Sequence, residues 1–242
     1  MTVIAVNSNS VIIRTNKTGL MEDLLGVISL KIRVEAGETI KICIRSEKSI
    51  FTWGDFCYGH QSVHTYAKAG VYRISITEKE MTDFILKNCR CITANFINCK
   101  KLKNIILDNN MLNDLTIMGC RELVGLFCKG NRLKNLFLVG LAQLNMLDCS
   151  NNEISDLSLS YNTRLRLLIC SNNKIEKINI SRNNSLICLE CNNNELSESG
   201  LNEIFRKLRA CDKGLLICNN NPGYQHCDKD KMEKKGWRIS ED

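Results

Sequence analysis

Apolar positions along this chain obey two different periods, and the boundary between them divides it. From Met81 onward leucine returns at one constant spacing, at Leu102, Leu123, Leu144, Leu165 and Leu186. A fixed period of 21 residues marks a solenoid, in which each unit buries its apolar face only by stacking on its neighbours. Every leucine opens the same pattern, L-x-x-L-x-(L/C)-x-x-N-x-L, as in Leu144, Leu147, Cys149, Asn152 and Ile154. A second apolar step follows in each unit, at Leu115 and Ile117, Leu136 and Leu138, Leu157 and Leu159, then Ile178 and Ile180. Alternate residues of a strand share a face, so each coil is expected to carry two short strands with these pairs pointing inward. The expected product is a mainly β fold: two parallel sheets around a narrow core, six coils forming a rod of roughly 25 to 30 Å at about 4.8 Å per step.

Before the repeats the alternation is that of ordinary antiparallel strands. VISLKIRV, TIKICIR, IFTW and VYRISIT are separated by EAGE, SEKS and AKAG, which predicts a small β-sandwich. After Leu196 the period changes again. Leu201, Ile204, Phe205 and Leu208 recur at helical spacing behind Ser197 and Ser199, either of which suits a helix cap. A turn, a short helix and a last strand follow, with Trp237 and Ile239 placed to close the end of the core. The predicted organisation is a sandwich over residues 1–79, a solenoid over 80–223 and a C-terminal cap over 224–242.

The motif L-x-x-L-x-C-x-x-N-x-L resembles the bacterial leucine-rich-repeat family with 21-residue units, common among Bacteroidetes proteins, from Met81 to about Gly223. The resemblance implies interaction with a protein or a glycan. Thr52-Trp53-Gly54-Asp55, His64-Thr65-Tyr66 and Gly70-Val71-Tyr72 resemble the polycystic-kidney-disease-type, immunoglobulin-like domain, with Phe56 standing where a second glycine is usual. That resemblance implies a spacer or adhesive module on an exported protein.

Composition adds limits. Of 242 residues 44% are apolar and 24% charged, which is ordinary for a packed chain. One proline leaves the turns to Gly, Asn and Asp. The asparagine column Asn110, Asn131, Asn152, Asn173, Asn194 and Asn221 falls where each coil must turn; its amides can satisfy free backbone groups there or bond one another along the stack. Fourteen cysteines belong mainly to the same register, with Cys128, Cys149, Cys170, Cys191 and Cys218 at an inward leucine position, so they read as small hydrophobes rather than as a disulfide framework. A net charge of +7 from 33 basic and 26 acidic residues is dispersed and does not point to nucleic acid. No apolar run is long enough to span a bilayer, so membrane insertion is not expected. Met1 to Lys17 lacks the features of a signal peptide, while the family resemblance suggests the cell surface, which leaves the compartment open between surface and cytoplasm.

No enzyme is expected. The only histidines are His60, His64 and His226, none placed beside a nucleophile, and there is no P-loop or G-x-G-x-x-G. Cys89, Cys91, Cys99 and Cys120 are the strongest zinc candidates, but the repeat already explains Cys89 and Cys91, so neither metal nor cofactor is expected. The functional expectation rests on outward positions of the first strand. Ile85, Ile106, Phe127, Asp148, Ile169 and Glu190 form one column, and Met146 and Leu167 extend the apolar surface beside it. Asp108, Lys129, Ser150, Ser171 and Asn192 form a polar border. This stripe is the expected partner site, for a protein or glycan or for a second copy of the chain. On the other sheet Ile97, Met118, Phe137 and Val139 are expected to lie beneath the sandwich.

Overall fold

The computed structural model describes residues 2–7, 10–15, 26–44 and 48–240. The separator SEKS and the stretch from Met1 to Lys17 lie partly outside these residues. β1 (Thr2–Asn7) and β2 (Ser10–Thr15) pair as an antiparallel hairpin. Before the repeats come β3 (Gly26–Val34), β4 (Thr39–Lys41), β5 (Cys43–Ile44), β6 (Ile50–Thr52), β7 (Tyr58–Gly59), β8 (Val63–Thr65) and β9 (Gly70–Glu78). The repeats supply β10 (Asp83–Ile85), β11 (Cys91–Ile97), β12 (Asn104–Ile106), β13 (Asp114–Met118), β14 (Gly125–Phe127), β15 (Met146–Asp148), β16 (Leu167–Ile169) and β17 (Cys188–Glu190). Then follow α1 (Glu198–Lys207), β18 (Gly214–Ile217), α2 (Asp230–Glu233) and β19 (Trp237–Ser240).

The main sheet has nine strands in the order β19-β18-β17-β16-β15-β14-β12-β10-β5. All its pairs are parallel except the last, where β5 runs antiparallel to β10. Eight steps give a length of about 38 Å, more than the six coils of the sequence reading, because strands from both flanks join the stack. The middle residues Phe84, Ile105, Leu126, Leu147, Leu168, Leu189 and Leu216 are all buried. The cysteine column beside them is buried and unpaired by disulfides, and burial pushes these thiols up, to about 12 for Cys218. They therefore remain neutral and pack as hydrophobes.

The turn out of each main strand uses two adjacent residues in different ways. The first takes a left-handed conformation: Asn109, Asn151, Asn172, Asn193 and Asn220 all lie near φ +54°, with values of 53–55°, which asparagine tolerates better than most residues. The second is the column asparagine. Asn152 Oδ1 accepts the Leu133 N–H at 3.0 Å, while Nδ2 donates to Cys128 O at 3.0 Å and Cys149 O at 3.1 Å. Each amide thus bonds the backbone of its own coil and of the preceding one, rather than another amide of the column.

The second sheet departs from expectation. Its order is β13-β11-β3-β9-β6-β7, so it is regular only at its N-terminal end. Later coils keep isolated bridges, Asn135 to Asp156 and Leu157 to Ile178. Tight turns consume that side of the coil: the Leu144 N–H bonds Leu141 O at 3.1 Å and the Leu165 N–H bonds Asn162 O at 3.1 Å. These turns carry a second asparagine pair, Asn162 and Asn183, both buried.

The N-terminal strands do not lie on this face. They join the solenoid end to end: β3 pairs antiparallel with β11 in one sheet, and β5 with β10 in the other. One continuous core runs from Trp53 and Tyr66 through Phe84 and Phe96 to Leu147 and Trp237. Ile97, Met118, Phe137 and Val139 therefore stay exposed, at 39%, 60%, 73% and 65%, which corrects the expectation that the sandwich covers them. Open edges offer unpaired N–H and C=O groups, and pairing those groups satisfies more backbone than covering a face would.

At the other end Ser197 caps α1, accepting the Gly200 N–H at 3.2 Å, and the helix buries Leu201, Ile204 and Phe205. Trp237 is buried on the last strand, where its Nε1 donates to Arg209 O at 2.8 Å. Among the described residues no helix is long and apolar enough to cross a membrane.

Candidate functional site

Parallel in-register pairing converts a 21-residue sequence period into straight columns on the sheet. Ile85, Ile106, Phe127, Asp148, Ile169 and Glu190 pair in succession, and the column runs on to Ile217. Met146 and Leu167 are paired neighbours in the adjacent column, which continues through Cys188 to Leu215. All eight residues singled out from the sequence are half-buried. Side chains one strand apart shield each other's flanks and leave their ends to solvent. The structure brings these eight together on one face.

Polarity on that face is unevenly distributed. Asp148 is held by its neighbour, Ser150 donating from N–H at 3.0 Å and from Oγ at 2.6 Å to Oδ1. Glu190 lies two strands away across Ile169, and burial, then the charge of Asp148, push its carboxyl above the usual range. The adjacent Cys188 thiol is raised to about 11 by burial and by Glu190. The expected polar border is only partly a border: Lys129 is exposed, but Asp108, Ser150 and Ser171 are buried. Asp108 meets Lys87 at 3.1 Å.

The cysteines weighed as zinc ligands do not converge. Cys89 Sγ donates to Lys87 O at 2.8 Å, Cys91 Sγ to Thr93 O at 3.3 Å, Cys99 Sγ to Ile97 O at 3.7 Å and Cys120 Sγ to Met118 O at 3.8 Å. A different group does converge, which the sequence reading passed over. Asp55, Cys57 and His64 meet beside the aromatic core of the N-terminal strands, with His64 Nε2 at 2.7 Å from Asp55 Oδ2. Partial burial raises the Asp55 carboxyl, but the bonds from His64 and the Cys57 N–H prevail and hold it below its ordinary value. The only available signal was the pairing of the W-G-D turn with the H-x-Y strand, a contact between segments that carries no period.

No protein-family model matches the sequence, and no curated protein matches it. Among solved structures the chain is similar to the functional domain of InlJ from Listeria monocytogenes, described as including a cysteine ladder, at 25% identity over 56% of this chain and 34% of that one, with a TM-score of 0.42. It is also similar to the internalin InlF from Listeria monocytogenes, at 20% identity over 60% and 49% of the two chains, with a TM-score of 0.47. Internalin C2 of the same species gives 20% identity over 66% and 80%, with a TM-score of 0.45. The chain spans less than half the length of the first two of these structures. On its own repeat spacing and strand register, the chain is a leucine-rich-repeat β-solenoid.

Proposed function

We propose that this chain is a non-enzymatic interaction module that binds a protein partner through the outward face of its nine-stranded sheet. The supporting observation is the pair of straight columns, centred on Ile106, Phe127, Met146, Leu167 and Ile169, that stand half-exposed side by side on six parallel strands. Large aliphatic and aromatic groups that flank a single central carboxylate, Asp148, held by Ser150, match the apolar, charge-poor make-up of a protein interface core. A glycan would ask for more hydrogen-bonding groups at the centre. In this reading the proposed units 1–79, 80–223 and 224–242 present the stripe together, since their described residues from Ile28 to Trp237 share one core.

Phe127→Asp together with Ile169→Asp is expected to weaken partner binding at least about 100-fold, since each would place an uncompensated charge in the contact. Proteins retained by the immobilised wild-type chain and lost from the double variant identify the partner, and a melting curve for the variant close to wild type excludes unfolding. Equal retention by both chains would refute the site.

A second reading has one observation in its favour. Met118, Phe137 and Val139 form an exposed apolar patch on the opposite side, a surface suited to self-association in an adhesive or structural role. If that reading holds, sedimentation shows a concentration-dependent dimer that Phe137→Asp abolishes. A monomer at all concentrations removes it.

A further inference from the structure

The Asp55, Cys57 and His64 cluster lies outside the proposed binding face and independent of it. One ligand atom from each residue falls within 4.8 Å of the other two. Two of the three sit in the turn between β6 and β7. Gly54 at φ +84° and Phe56 at φ +69° bend that turn, and the Trp53 N–H closes it on Cys57 O at 2.9 Å. His64 comes from the middle of β8 and is fixed by rings. It stacks on Trp53 at 5.2 Å and meets Tyr66 edge-on at 4.6 Å, and the Tyr66 hydroxyl donates to Trp53 O at 2.8 Å. The imidazole and the turn are thereby held against each other.

We propose that Asp55, Cys57 and His64 form a three-ligand site for a borderline-soft divalent transition metal, with zinc the expected ion and a water molecule as fourth ligand. One thiolate, one imidazole and one carboxylate form a donor set that favours Zn2+ over Mg2+ or Ca2+. Metal–ligand bonds of about 2.0 to 2.3 Å place tetrahedral ligand atoms about 3.3 to 3.8 Å apart. Coordination would widen the 2.7 Å contact between His64 and Asp55 and draw the Cys57 sulfur inward. Cys57 is free to make that move, being one of only two exposed cysteines among the fourteen, the other being Cys43. A structural role for the Asp55–His64 bond accounts for two members of the cluster. The exposed Cys57 thiol beside Asp55 completes a three-donor set.

The test uses the full chain, stripped with a chelator and titrated with Co2+ as a spectroscopic substitute for Zn2+. One equivalent is expected to produce thiolate-to-cobalt charge-transfer absorption that Zn2+ displaces. Cys57→Ser, at an exposed position that should not affect folding, is expected to abolish the band and weaken cobalt binding at least about 100-fold, while Cys43→Ser leaves both unchanged. Zn2+ should also raise the Tm of wild type and not of Cys57→Ser. Absence of the band in wild type, or an unchanged band in Cys57→Ser, overturns the site.

Discussion

Replacing Asn152 with leucine is expected to lower stability by roughly 3 to 5 kcal/mol, although the side chain keeps nearly its size. The change strands the Leu133 N–H, whose acceptor at 3.0 Å is Asn152 Oδ1, and a buried N–H without a partner costs about 1 to 3 kcal/mol. Cys128 O and Cys149 O lose the donors they have at 3.0 and 3.1 Å, at about 1 kcal/mol each. For a chain of this size the loss corresponds to a fall in Tm of about 6 to 20 °C, read by circular dichroism. Asn162→Leu is the matched comparison. Its Nδ2 donates to Leu138 O at 3.2 Å and Leu141 O at 3.0 Å, but its Oδ1 accepts from no protein group, so no N–H is stranded and the cost should be about half. Equal losses at the two positions would show that asparagine acts through volume rather than through its bonds.

Gly223→Ala is expected to be at least as damaging, by a different mechanism. A Cβ at this position would lie 2.0 Å from Glu198 N and 2.2 Å from Ser197 C. These are backbone atoms at the capped start of α1, so no side-chain rotation relieves the overlap. Either the helix leaves the last coils, uncovering Leu201, Ile204 and Phe205, or the turn that holds Asn221 shifts and its bond to the Leu196 N–H at 3.1 Å fails. Overpacking a yielding core costs about 1 to 3 kcal/mol; against backbone we expect more than about 3 kcal/mol, with early proteolysis in residues 198–207. Wild-type stability in Gly223→Ala would contradict the close packing of helix on turn.

Why these positions carry so much follows from what the sequence could and could not express. The leucine, asparagine and cysteine columns were legible because parallel pairing in register preserves a constant offset, so one dimension of text becomes one row of contacts. For the same reason the spacing of the eight stripe residues already sets them side by side on one face. The helix behind Ser197 was legible from its spacing of 3 and 4. The docking of the N-terminal strands was not. β3 meets β11 antiparallel, and such a pairing leaves no offset to detect; the apolar residues of the second face invited a covering that edge pairing made unnecessary. Asn162 and Asn183 form too short a column to stand out against random asparagines. Asp55, Cys57 and His64 meet through a turn and a strand with no shared period.

The antiparallel start of both sheets has a consequence for assembly. A stack of near-identical parallel coils is in effect a polymer, and each open end is a template on which another chain can grow. β3 and β5 cap that polymer at its first coil with strands of opposite polarity, closing the register that a further coil would need. A version of this protein lacking them would keep its leucines and its asparagines, and would be expected to lose its defined length.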